Sequence, residues 1–145
     1  MKTHTRTSAG FTLLELLIVI AVLGILLGIA VPTFASYRTS SQLKGGAETV
    51  AAVLRQARSA ALGSGQAQTV RFASDAAGAY LRVLSVDNSS QTRLPRGIAW
   101  GAGTPTSVSM GTDGRASASS YLVVADTRGA RDTVSVQLSG LVLLQ

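Results

Sequence analysis

One carboxylate, Glu15, stands in an otherwise apolar run, four residues after Phe11. From Leu16 to Val31 no side chain carries a charge. A charged group costs about 2.5–3.5 kcal/mol at mid-bilayer on insertion scales, and less near the interface. Glu15 is therefore either a tolerated interfacial residue or a group with a partner. If the chain is cut after Gly10, Phe11 gains an amino group that is positive near neutral pH. An amine and a carboxylate then share one end of an apolar rod. Between parallel, staggered rods, the amine of one can meet Glu15 of the next. Such a pair compensates both charges and fixes the register, as buried polar pairs do in coiled coils.

Other chemistry is thinly supplied. Nucleophiles, general bases and zinc sites draw chiefly on Cys and His. The chain has no Cys, and its single histidine, His4, lies within the first ten residues. A chain starting at Phe11 has neither, so no enzyme, catalytic residue, metal or cofactor is expected. Asp113-Gly114 and Asp87-Asn88 lack the carboxylate spacing of a calcium loop and read as turns. The formal charge of +6 falls to +4 without Lys2 and Arg6, an ordinary surface balance. Arg93, Arg96, Arg115, Arg128 and Arg131 could converge on a phosphate-binding face. Solvated turn arginines are the favoured reading, and the aromatics are too scattered for a stacking platform.

The elements that position Glu15 follow from the pattern around it. Residues 1–10, MKTHTRTSAG, carry Lys2 and Arg6 and no acid. A basic leader before an apolar run reads as a targeting segment held on the cytoplasmic side. Its small residues Ala9 and Gly10 precede the apolar run, whereas ordinary signal cleavage follows it. An anchor that is never cut is the other reading. As a helix, residues 11–31 span about 32 Å at 1.5 Å per residue, which matches one bilayer crossing. Gly24 and Gly28 form a G-x-x-x-G, which permits close helix approach but is also common by chance. Pro32 ends the run and should kink or loosen the helix.

Beyond Pro32, Leu43, Ala47, Val50, Leu54, Ala57 and Ala61 recur at helical spacing, with Lys44, Glu48, Arg55 and Arg58 largely off that stripe. The stripe predicts packing on the chain's own globular part. Gly45-Gly46 is a weak point, and Gly63-Ser64-Gly65 should stop the helix near Leu62. The remainder reads as strands: 69–72, 80–86, 98–100, 108–110, 121–125 and 133–138. Turns are expected at 74–78, 87–90, 94–97, 112–114 and 126–129. The predicted organisation is a leader at 1–10, a membrane helix at 11–34, an amphipathic continuation at 35–62 and a β-rich domain at 63–145. The fold class is α+β: a long N-terminal helix, transmembrane then amphipathic, packed on an antiparallel sheet.

Gly10-Phe11-Thr12-Leu13-Leu14-Glu15, with the apolar run and Pro32, closely resembles the class III signal of type IV pilins and type II secretion pseudopilins. The resemblance covers residues 9–34. It implies the type IV pilin fold, cleavage between Gly10 and Phe11 by a prepilin peptidase, and N-methylation of Phe11. Glu15 matches the acidic residue of that family used in subunit recruitment and register. Implied partners are other pilin or pseudopilin subunits through the N-terminal helix, the peptidase, an inner-membrane assembly platform, and the membrane before assembly. The implied location is the inner membrane, N-terminus cytoplasmic and domain periplasmic, then a pilus or pseudopilus.

Gly111-Thr112-Asp113-Gly114-Arg115, Leu122-Val123-Val124-Ala125-Asp126, Val134-Ser135-Val136 and Trp100 look more loosely like the GspH/FimT group of minor pilins. A branch of that group is associated with DNA uptake through a basic tail. Here the tail is Ser139-Gly140-Leu141-Val142-Leu143-Leu144-Gln145, with Leu and Val where arginines would follow the glycine. DNA contact by Arg115, Arg128 and Arg131 is therefore the alternative, not the favoured reading.

Overall fold

In a computed structural model, residues 11–84 and 89–145 are described. The chain divides into two compact units, one ending at Tyr37 and the other running Arg38–Gln145. A single helix, α1 (Leu13–Ser64), contributes to both. Its helical assignment is uninterrupted at Pro32 and at Gly45-Gly46. The structure begins after the Gly10-Phe11 junction, so Gly10 lies outside the described residues, as does the expected turn at Asp87-Asn88.

In the first unit α1 has no core to pack on: every described side chain from Phe11 to Ala30 is exposed. The second unit inverts that pattern. Leu43, Ala47, Val50, Leu54, Ala57 and Ala61 are all buried, joined by Ala51 and Val53. Gly46 explains itself here. A Cβ at that position would lie 3.3 Å from Ile98 Cγ2, so the missing side chain lets the helix sit close to the sheet. Ser64 ends the helix, and Gly65 at φ 65° donates its N–H to Ala61 O at 3.1 Å, a left-handed cap.

The strands form two antiparallel sheets where one had been expected. The first has β1 (Gln68–Asp75), β2 (Gly78–Leu84), β3 (Ser89–Arg93) and β5 (Ser107–Met110), in the order β3-β2-β1-β5. The second has β4 (Ile98–Trp100), β6 (Ser120–Asp126), β7 (Arg131–Val136) and β8 (Val142–Leu144), in the order β4-β6-β7-β8. Val70, Phe72, Leu81, Val108 and Met110 from one sheet and Leu122, Val124, Val134, Val136 and Val142 from the other share a core with the helix stripe. Trp100 joins the sheets. Its ring meets Phe72 edge-on at 5.2 Å, and its Nε1–H donates to Ala73 O at 2.9 Å.

Two strands were not expected. Ser89 and Ser90, read as part of a turn, belong to β3, a polar edge strand (SSQTR) with no apolar alternation to announce it. The C-terminal tail returns as β8 and pairs with β7, Val136 opposite Val142.

Candidate functional site

The site with chemistry to offer is the start of α1. Thr12 flanks the helix, and its Oγ1 accepts the backbone N–H of Glu15 at 3.2 Å. Thr12-Leu13-Leu14-Glu15 is thus a T-x-x-E sequence used as an N-cap, a signal present in the sequence and overlooked there. The cap satisfies one of the donors that a helix N-terminus leaves open. It also sets the Glu15 carboxylate in the first turn, where the helix dipole favours negative charge. Glu15 therefore has a local stabiliser before any partner subunit is invoked.

Phe11 precedes this cap and is 77% exposed. From Leu13 to Ala30 the helix has a mean hydropathy of 2.9 and none of its residues is buried, which is long and apolar enough for one membrane crossing. Thirteen of these residues are Leu, Ile or Val. At about 0.3–0.6 kcal/mol each they favour insertion by roughly 4–8 kcal/mol, more than the about 2.5–3.5 kcal/mol that a single charge costs at mid-bilayer on insertion scales. A Cβ at Gly24 or Gly28 would meet nothing within 4 Å, so nothing in the described chain requires glycine at either.

The arginines considered for DNA are dispersed. Arg128 lies on the β6–β7 turn and its Nε reaches Asp126 Oδ2 at 3.2 Å. Arg131 opens β7 at the same end, paired with Ala125. Burial alone would push the Asp126 carboxyl up, but the N–H groups of Ala130 and Arg128 and the Arg128 guanidinium outweigh it and hold it below its usual value. Arg115 belongs to a different place. Its neighbour Ala116 donates to Leu138 O at 3.1 Å, beyond the opposite end of the β6–β7 hairpin. Six residue pairs, five steps at ~3.3 Å each, put about 17 Å between the two ends. Arg115 does not share a patch with Arg128 and Arg131.

The tail glycine has a structural task. Arg58 donates through Nε to Gly114 O at 3.0 Å and through Nη2 to Ser139 O at 3.3 Å. Gly114 and Gly140 both have positive φ, 73° and 77°. A Cβ on Gly140 would collide with Gly114 O. Helix, β5–β6 connection and C-terminal turn are bolted together there. Among the described residues no three His, Cys, Asp or Glu side chains group to hold a metal.

Residues 5–31 match the family model described as the prokaryotic N-terminal methylation motif. The chain is 40% identical over 57 residues to a fimbrial protein of Pseudomonas aeruginosa, covering 39% of this chain and 37% of that one. It is 35% identical over 96 residues to the pilin-like protein PilA1 of Thermus thermophilus, covering 66% of this chain and 59% of that protein. It thus spans under two thirds of each of these relatives. In structure it is similar to the minor pseudopilin EpsH from the type 2 secretion system of Vibrio cholerae, with TM-score 0.55 and 20% identity, covering 72% of this chain and 96% of that one. It is also similar to the type IV minor pilin FimU of Pseudomonas aeruginosa, with TM-score 0.56 and 16% identity, covering 75% and 92%. At such identities these structures speak for the fold alone. The head of the chain thus carries the prokaryotic N-terminal methylation motif, and the domain that follows it has the fold seen in these minor pilin and pseudopilin structures.

Proposed function

We propose that this chain is a non-enzymatic structural subunit, of the minor GspH/FimT type, of a type IV pilus or type II secretion pseudopilus. The observation that carries the reading is a capped, uniformly exposed apolar helix starting immediately after Gly10-Phe11. Such a surface is unstable in water and has two satisfactory environments, a bilayer and a bundle of like helices. In this reading a prepilin peptidase cuts between Gly10 and Phe11 and methylates the Phe11 amine. The uncut chain waits in the inner membrane, N-terminus cytoplasmic and domain periplasmic. An assembly platform then transfers the helix into the filament core, where Glu15 meets the amine of a neighbour and Pro32 bends the rod.

The first test is the intact mass of the mature protein from cells with an active prepilin peptidase. A chain lacking residues 1–10 and carrying one added methyl group is expected; one retaining the leader overturns the processing step. The second test separates capping from register. Glu15→Gln leaves the Thr12 hydroxyl and the residue-15 amide in place but removes the charge, whereas Thr12→Ala removes the cap and keeps the charge. If Glu15 sets register, Glu15→Gln should insert normally yet be lost from purified filaments, while Thr12→Ala is incorporated. Incorporation of Glu15→Gln at the unsubstituted level would end the pairing argument.

A further inference from the structure

The outer face of the first sheet carries two arginines that folding alone does not explain. Arg71 on β1 and Arg82 on β2 are direct cross-strand partners, and both are exposed. Like charges placed directly opposite destabilise a sheet. Arg82 is held in place: its Nη2 donates to Gln91 Oε1 at 3.1 Å, and its guanidinium lies 5.9 Å from the centroid of Tyr80. Arg93, the cross-strand partner of Tyr80, lies 5.7 Å from the same centroid but is bound to Asp75 through two contacts of 2.8 and 2.9 Å. Among the described residues neither Arg71 nor Arg82 has a carboxylate partner.

We infer that Arg71 and Arg82 form a docking point for a pair of carboxylates on a different protein subunit. The inference rests on the filament reading above and names the chemistry of a neighbour within it. A second copy of this chain is a poor occupant. Residues 38–145 hold eleven Arg and Lys against six Asp and Glu. Of those acids, Asp75 is bound to Arg93, and Asp126 is occupied by its own turn and Arg128. Asp113 and Asp132 accept the backbone N–H groups of Arg115 and Thr133. Glu48 and Asp87 remain, and Asp87 lies outside the described residues. Two such copies repel more than they complement each other.

A nucleic acid fits less well than a carboxylate pair. One strand presents a charge about every 3.4 Å along its length and is bound by a track of cations. Among the described residues of this face only Arg71 and Arg82 are arginines without a carboxylate partner, and the exposed Asp75 beside Arg93 would face the strand's phosphates. A membrane fits less well again, because no large hydrophobic side chain of β1, β2, β3 or β5 is exposed on this sheet. Two guanidiniums on adjacent strands, one fixed by Gln91 and Tyr80, match the forked geometry with which arginine binds carboxylates.

The test uses the full chain in its own cells, with a photo-crosslinking residue at Ser107, the other cross-strand neighbour of Arg71. An adduct to a different filament subunit, mapped to a segment with two close Asp or Glu residues, is expected in the filament fraction. Arg71→Glu plus Arg82→Glu should reduce it at least about tenfold, since like charges brought together in an interface cost several kcal/mol. Arg96→Glu plus Arg131→Glu, an equal change of charge elsewhere, should leave it within about twofold. Arg71→Gln plus Arg82→Gln, with thermal unfolding of the purified protein in neutral detergent, guards against misfolding. The inference is overturned by an adduct to a second copy, to nucleic acid or to lipid. It is equally overturned by an equal loss in the control pair, or by no adduct although the chain is in filaments. If the unsubstituted chain is absent from filaments, the subunit reading fails as well.

Discussion

The two halves of α1 differ in hydrophobic content and in surroundings. From Leu13 to Ala30 the helix is apolar on all sides apart from Glu15, and none of its residues is buried. From Leu43 to Ala61 it is apolar on one stripe, and that stripe is buried within the chain. A helix hydrophobic all round is built for lipid or for the centre of a bundle; one with a single stripe is built for one domain. The second half completes a fold, while the first half leaves its apolar residues exposed.

Equivalent truncations in the two halves test that contrast most strongly. Leu54 is fully buried, and Leu17 is 49% exposed. Leu54→Ala should destabilise the domain by about 2–5 kcal/mol through lost transfer energy and a cavity. Leu17→Ala should leave domain stability within about 0.5 kcal/mol, as exposed positions do. Denaturant midpoints of the full chain in neutral-detergent micelles measure both. Equal losses would mean that the exposed half also packs on the domain and would undo the comparison.

The second prediction asks whether the tail is part of the domain or a free appendage. Gly140→Ala must place a Cβ against Gly114 O at a φ of 77°. A loss of about 1–3 kcal/mol is expected, from left-handed strain and from disturbing the Arg58 bolt. An unchanged midpoint would mean that the tail detaches without cost.

How much of this was readable in advance depended on which force placed each residue. The stripe from Leu43 to Ala61 was legible because one face buries and periodicity records burial. The hairpin β6–β7 was legible because Asp126, Gly129 and the flanking apolar runs mark a turn between strands. β3 was not, since Ser89–Arg93 is held by backbone pairing to β2 and has no buried side of its own to leave a pattern. The split into two sheets was not legible either, because it rests on the long-range pairings of β1 with β5 and of β4 with β6, which no local pattern records. At the candidate site, the lone carboxylate marks the segment that the methylation-motif model also matches. Its Thr12 cap was written in the same four residues and was obscured by attention to the charge. Pro32 and Gly45-Gly46 each weaken a helix locally without ending it, and the helical assignment continues through both, as the stripe beyond them required.

The smallest expected effect compares two acidic residues at hairpin turns. Asp75 pairs with Arg93 at the surface, the two side chains being 41% and 46% exposed. The hydrogen bond from Arg93 is the main cause that lowers its carboxyl from 3.8 to about 2, against some opposing burial. A group depressed on folding stabilises the folded state fully above its unfolded value, and that contribution fades as pH falls toward the folded value. The Asp75 contribution is therefore intact above about pH 4 and lost between 3.8 and about 2. Asp75→Asn should flatten the pH dependence of the unfolding midpoint across that window and leave a residual slope from Asp126, whose carboxyl is also lowered. Salt should blunt the Asp75 component more than the residual, because exposed pairs are screened and the Asp126 side chain is fully enclosed. A window unaltered by Asp75→Asn would assign the acid sensitivity to other groups and leave Asp75–Arg93 as a geometric pair without energetic weight.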